Sequence, residues 1–217
     1  MRLSDKMCPE WMSTPHSMGT SIMAVEFDGG VIMGADSRTT TGAYIANRVS
    51  DKITNIAENI WVCRSGSSAD TQAVASYVKW YLDMHSIEMN QPPLVKTAAL
   101  LAQQICYNNK AYLVAGLIVG GWDSTYGGQV YQITLGGLLQ REKFAIGGSG
   151  STYIIGHCDK QYKDAMTKEE CAQFVSEALT LAMLRDGSSG GIIRMVTITK
   201  DGSQRSTILG NELSMVC

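Results

Sequence analysis

The sequence predicts an α+β protein of four layers, with two antiparallel sheets packed between two layers of helices. Three observations carry this. Strand-like and helix-like segments come in blocks (strands, two helices, strands, helices, strands) rather than in the strict alternation of a doubly wound sheet. Tight turn signals join successive strand-like runs into hairpins. The helical blocks supply four helices, enough to cover both outward sheet faces. At 45% hydrophobic and 18% charged over 217 residues, the chain has material for one sizeable core and lacks the composition of a disordered protein.

Residues 1–19 have no hydrophobic period, contain two prolines and end in Gly19. SIMAVEF (21–27) alternates as a strand, Asp28-Gly29-Gly30 turns the chain, and VIMGAD (31–36) returns it. NIWVCRSG (59–66) is a further strand, running into Ser67-x-x-Asp70, a helix-start pattern. Ala73, Val74, Tyr77, Val78, Tyr81 and Leu82 then recur at helical spacing. A second helix follows Pro92-Pro93, from about Leu94 to Tyr107, with Ala98, Leu101, Ala102 and Ile105 on one face. LVAGLIVGG (113–121) and GQVYQITLGG (128–137) read as strands. Thr167-x-x-Glu170 is a capping box opening a helix whose apolar face is Cys171, Phe174, Val175, Ala178 and Ala182. Segments 190–202 and 205–210 close the chain as a hairpin.

Composition excludes several functions. Eighteen Lys plus Arg against twenty Asp plus Glu leave a formal charge of −2, so no basic field invites nucleic acid. No apolar run approaches the roughly 18 residues of a membrane span, and the first residues lack the apolar stretch of a signal peptide. The six cysteines (8, 63, 106, 158, 171 and 217) form no CxxC pair, and the three histidines have no metal-ligand spacing. Scattered cysteines and the lack of an Asn-x-Ser/Thr sequon fit a reducing compartment, and a soluble intracellular protein is the expectation.

Two segments suggest chemistry. Gly187-Ser188-Ser189-Gly190-Gly191 satisfies the G-x-S-x-G pattern of serine hydrolases. That pattern requires a strand before the serine and a helix after it, and here the expected order is reversed. No histidine follows His157 to complete a triad. The second segment is the junction Gly19-Thr20, where a leader without periodicity meets a strand opening on a hydroxyl residue. Cleavage there gives Thr20 both a hydroxyl and a free α-amine. An α-amine has a reference pKa near ~8, so one residue then carries nucleophile and base. The residues alone favour a strand that begins behind a disordered tail.

The stretch TSIMAVEFDGGVIMGADSRTTTGAYIANRVSDKI (20–53) resembles the start of a mature catalytic β-type subunit of the eukaryotic 20S proteasome. CRSGSSADTQAVA (63–75), LIVGGWD (117–123), GGQVY (127–131), FAIGGSGSTYI (144–154), MTKEE (166–170) and RDGSSGG (185–191) extend the resemblance in order over nearly all the chain after residue 19. Among β-type subunits it is most similar to the caspase-like, or beta-1, class. Ser21 departs from the pattern, standing where the family often has a second Thr.

The resemblance implies the N-terminal-nucleophile hydrolase fold, an α-β-β-α sandwich, and a threonine endopeptidase. It divides the chain into a propeptide, 1–19, removed by self-cleavage between Gly19 and Thr20, and a catalytic domain, 20–217. It implies Thr20 as nucleophile, Asp36 and Lys52 as the charged pair beside it, and Gly66 as the backbone N–H donor to the oxyanion. Ser149, Asp186 and Ser189 become the polar group around the Thr20 amine. Arg64 falls at the base of the primary specificity pocket, where a guanidinium suits acidic side chains. Thr39, Ser50, Thr54 and Gln72 match other pocket positions, and Thr40 matches a main-chain contact to extended substrate. No metal or organic cofactor is implied. The implied partners are other alpha-type and beta-type subunits of a 28-subunit stacked-ring core, a regulatory particle indirectly, and unfolded polypeptide substrates, with neither nucleic acid nor membrane. The implied locations are cytoplasm and nucleus.

Overall fold

The computed structural model describes residues 19–213. β1 (Ile22–Phe27) and β2 (Gly30–Ala35) form a hairpin across Asp28-Gly29, and Gly29 takes φ +104°, which the tight reversal requires. β3 (Thr39–Thr41) and β4 (Tyr44–Asn47) pair as a small separate sheet. β5 (Ile53–Ala57), β6 (Ile60–Gly66), β7 (Ala115–Asp123), β8 (Gly127–Ile133) and β9 (Leu139–Glu142) form an antiparallel sheet in chain order. β10 (Phe144–Gly147), β11 (Ile193–Thr199) and β12 (Gly202–Ile208) complete the other sheet, ordered β10-β1-β2-β11-β12.

Among the described residues, four helices cover these sheets: α1 (Ser68–Met89), α2 (Val95–Asn108), α3 (Ser151–Gln161) and α4 (Lys168–Arg185). The expected caps form. The Ser67 hydroxyl accepts from Asp70 N–H, and Thr167 and Glu170 satisfy each other's backbone donors in a full capping box.

Three apolar layers hold the sandwich together, because the strands of both sheets bury both faces. Between the sheets lie Ile22, Ala24, Val31, Met33, Val196 and Ile198 of one, against Ile53, Trp61, Cys63, Ile118 and Val130 of the other. The alternate residues Met23, Val25 and Ile32 point outward, under Phe174, Val175, Ala178 and Leu179 of α4. Val62, Leu117, Val119 and Ile133 pack outward under α1 and α2. Layers approach closely at two glycines. A Cβ on Gly34 would lie 2.6 Å from Val175 Cγ1, and one on Gly120 would lie 2.7 Å from Met33 Sδ.

Some boundaries and faces differ from the sequence reading. The strand expected to reach residue 137 stops at Ile133, because Gly137 takes φ +80° and its N–H closes a turn on Thr134. On α1, Val74, Val78 and Leu82 are buried as expected, whereas Ala73, Tyr77 and Tyr81 face solvent. The apolar stripe there is wider than the core it covers. The expected face of α4 is buried throughout. Cys63, Cys106, Cys158 and Cys171 are buried free thiols, and burial raises all four pKa values, Cys106 and Cys158 to about 11. They act as small apolar residues. Cys8, Cys217 and His16 lie outside the described residues, as does the expected propeptide up to Met18.

Leu179 is fully buried between α4 and the sheet. Leu179→Ala is expected to cost about 2–5 kcal/mol of stability, measurable by chemical denaturation.

Candidate functional site

Thr20 sits two residues before β1, joined by its peptide bond to Gly19, so its backbone nitrogen here is an amide standing where a freed amine would be. Gly19 is confined: a Cβ there would fall 2.1 Å from Ser188 Cβ and 2.2 Å from Ser188 O. Only glycine passes this point without moving the 186–190 loop. Gly19 N–H donates to Thr40 Oγ1 (3.2 Å). The Thr20 hydroxyl is buried and donates to the Gly19 carbonyl at 2.7 Å. Gly148, at φ +80°, lets the 147–150 turn press against Thr20, whose carbonyl accepts from Gly150 N–H (3.1 Å).

Beneath Thr20 lies a buried ion pair. Asp36 follows β2 and is 0% exposed, while Lys52 precedes β5 and is 8% exposed. Lys52 Nζ donates to Asp36 Oδ1 at 2.7 Å and to both Thr20 Oγ1 and the Gly19 carbonyl at 3.2 Å. Asp36 also accepts from the backbone N–H groups of Ser21 (2.9 Å), Gly190 (3.0 Å) and Arg38 (3.1 Å). A carboxylate taken fully out of water is tolerated only with such saturation. Burial pushes the Lys52 ammonium below its ordinary 10.5, and Asp36 offsets only part of that.

A second carboxylate organises the other side. Asp186, just past α4, accepts from the hydroxyls of Ser149 (2.7 Å), Ser188 (2.6 Å) and Ser189. Burial alone would raise its pKa, but these bonds outweigh burial and hold it below the usual carboxylate value. Ser149 Oγ in turn accepts from Thr20 N–H (3.1 Å). Ser189 is fully buried and bonds Ser21 Oγ (2.8 Å), so its hydroxyl serves this network. It also lies between α4 and β11, which is helix before strand, the reverse of a nucleophile elbow.

Thr20 opens into a cavity of about 400 Å³ lined by Thr39, Thr40, Ser50, Asp51, Lys52, Arg64, Gly66 and Thr71, among others. Gly66 ends β6 at φ +102°, where a Cβ would lie 2.3 Å from Val114 O, so the backbone itself forms the wall. Thr39 and Ser50 share a 2.5 Å hydroxyl bond. The Arg64 guanidinium is spread over three neutral acceptors: Thr54 Oγ1 (3.0 Å), Thr71 Oγ1 (3.3 Å) and Asp51 O (2.7 Å). None of the ion pairs among the described residues includes it.

Two positions that the resemblance places at the pocket lie off the lining of this cavity. Gln72 faces solvent on α1 and is not part of the lining; its predecessor Thr71 is, because one helical step rotates a side chain by about 100°. Thr54 is not on the cavity surface and acts through its bond to Arg64.

Among the described residues no cluster of His, Cys, Asp or Glu has metal-site geometry, and no helix is long and apolar enough to cross a membrane. The α-β-β-α sandwich with a threonine at the head of its first strand is the architecture that the sequence resemblance implies. Residues 16–198 match the family model described as proteasome subunit, and the chain belongs to that family. It is 62% identical over 205 residues to proteasome subunit beta type-6 of Dictyostelium discoideum, covering 94% of this chain and 96% of that one. It is 57% identical to the probable proteasome subunit beta type-1 of Schizosaccharomyces pombe (87% and 83% covered) and 54% identical to human proteasome subunit beta type-9 (90% and 89%). These relatives make it a beta-type subunit, in a family that includes threonine proteases.

Since the folded chain holds the Lys52 proton less tightly than the unfolded chain, the contribution of Lys52 to stability grows as pH rises from its lowered pKa towards 10.5. The Lys52 side chain, followed by 13C chemical shift, is expected to titrate below 10.5. Asp36→Asn should lower the midpoint further, and a midpoint at or above 10.5 would contradict the burial argument.

Proposed function

We propose that this chain is a catalytic beta-type subunit, a threonine endopeptidase that frees its own nucleophile by cleavage between Gly19 and Thr20 and then cuts unfolded polypeptides after acidic residues. As a beta-type subunit it assembles with other alpha-type and beta-type proteasome subunits in the 20S core. We place its work in the cytoplasm and nucleus, in ubiquitin-dependent protein degradation. The observation that carries the catalytic reading is Lys52 Nζ, 3.2 Å from Thr20 Oγ1 and 2.7 Å from buried Asp36, at the mouth of a substrate-sized cavity.

The chemistry follows from these positions. In self-cleavage the Thr20 oxygen attacks the Gly19 carbonyl carbon, its proton passes to the departing Thr20 nitrogen, and an ester joins Gly19 to Thr20. Water hydrolyses the ester and leaves Thr20 with a free amine. In peptide cleavage the same oxygen attacks a substrate carbonyl while the amine takes the hydroxyl proton, directly or through a water held by Ser149. The Lys52 ammonium favours the deprotonated oxygen. Gly66 N–H stabilises the oxyanion. The scissile C–N bond then breaks as the Thr20 ammonium returns its proton to the departing amine, and the acyl group rests on Thr20 as an ester. Water hydrolyses that ester to free the acid and restore the Thr20 hydroxyl. An acidic side chain entering the cavity meets Arg64, a cation whose partners are all neutral.

Thr20→Ala is expected to abolish peptidase activity and to leave Gly19 attached in assembled particles, as read from the mass and first residue of the chain. A wild-type chain that still begins at Met1 in complete particles would make the subunit a scaffold. Arg64→Leu is expected to lower kcat/KM for acidic substrates by at least about tenfold while assembly proceeds. Unchanged selectivity would remove Arg64 from substrate recognition.

A further inference from the structure

The cation in the specificity cavity has an acidic neighbour that it does not bind. Arg64 takes the backbone carbonyl of Asp51, while the Asp51 carboxylate is held elsewhere. Asp51 Oδ1 accepts from Ile53 N–H at 3.1 Å, and both carboxylate oxygens accept from Arg205 at 2.8 and 2.7 Å. Arg205 reaches across from β12, the edge strand of the opposite sheet, and its guanidinium carbon lies 5.5 Å above the Trp61 ring. Two arginines thus flank one carboxylate, and the one outside the cavity holds it. Trp61 braces that choice from below, since a guanidinium resting on an aromatic face loses little by staying there.

We infer that Arg205 is a specificity-positioning residue: by holding the Asp51 carboxylate, it keeps the Arg64 guanidinium available to an acidic substrate side chain. This rests on the acidic preference proposed above. Without Arg205, the Asp51 charge is uncompensated beside the cavity and competes with the substrate carboxylate for Arg64. Arg205 does not itself line the cavity; it reaches the cavity through Asp51, the lining residue that it binds. The two side chains are 41% and 44% exposed, so solvent screens the effect and its size is moderate.

The test uses assembled core particles and two peptides differing only in Glu or Leu before the scissile bond. The contribution of this subunit is taken as the difference from Thr20→Ala particles, and the Glu-to-Leu ratio of kcat/KM cancels differences in assembly yield. Arg205→Gln is expected to lower that ratio roughly two- to fivefold, through a higher KM for the Glu peptide. Arg205→Lys should restore it, Asp51→Asn added to Arg205→Gln should restore it as well, and the Arg205→Gln effect should shrink at high salt. An unchanged ratio in Arg205→Gln overturns the inference. So does a fall that Asp51→Asn leaves in place, which would indicate lost packing on Trp61. Should Arg205→Gln fail to assemble, Asp51→Asn alone decides: it must keep or raise the ratio, and a fall overturns the inference. Wild-type particles without an Arg64-dependent preference for Glu would overturn the acidic-cavity reading instead.

Discussion

Asp36 and Lys52 meet where almost no water reaches, and much of the surrounding structure follows from that. An unpaired buried charge costs several kcal/mol, so the loops around Asp36 bend to bring it the N–H groups of Ser21, Arg38 and Gly190 as well as the ammonium. These donors come from the strand of Thr20, from the segment leading to the cavity wall, and from the loop after α4. One carboxylate therefore ties together the three pieces of chain that frame the threonine. Lys52 spends one donor on Asp36 and turns the others to Thr20 Oγ1 and the Gly19 carbonyl. The pair that the core must satisfy is the pair that faces the scissile junction.

The Asp186 cluster complements it with the opposite balance. Asp36 is saturated mainly by backbone, which fixes its place. Asp186 is saturated mainly by the hydroxyls of Ser149, Ser188 and Ser189, which rotate and exchange protons. One side of Thr20 is thus a rigid cation and the other an adjustable hydroxyl network contacting its nitrogen. That division suits a residue whose oxygen attacks and whose nitrogen accepts and gives up protons.

Much of the fold was legible because local signals agreed with tertiary need. The Asp28-Gly29 turn, the Ser67 cap and the Thr167–Glu170 capping box mark element ends that form as read. The layered class followed from the order of elements. Failures came where one signal had two causes. The aromatic residues on α1 share the helical period of its core residues, yet Tyr77 and Tyr81 face outward. A run of apolar residues and glycines hid the end of β8, where the backbone conformation of Gly137 decides. For the site, only Thr20 was raised by a local signal, the Gly19-Thr20 junction; Asp36, Lys52, Gly66 and Arg64 were chosen by resemblance, since no local pattern joins residues so far apart. That Thr71 rather than Gln72 lines the cavity was not legible, because a one-residue step around a helix is invisible without knowing which face meets β6. Arg205 had no sequence signal at all: its partner Asp51 lies 154 positions away.

The residues around Thr20 are divided between the two sheets. Thr20 precedes β1 and Asp36 follows β2, whereas Lys52 precedes β5 and Arg64 and Gly66 lie in β6. The layer of Ile22, Met33, Cys63, Ile118 and Val196 between them is then a spacer as well as a core. Its thickness sets how far the ammonium stands from the hydroxyl, and a swap of one apolar residue for a bulkier one there changes that span even when the protein still folds. Of the outer helices, α1 and α2 do not set that span, whereas α3 and α4 place Ser149 and Asp186 at their ends, beside the Thr20 nitrogen. Substitutions of equal cost to stability should therefore differ in their effect on the reaction: one under α1 and α2 draws on stability alone, whereas one between the sheets also moves the atoms that serve as the gauge of the reaction.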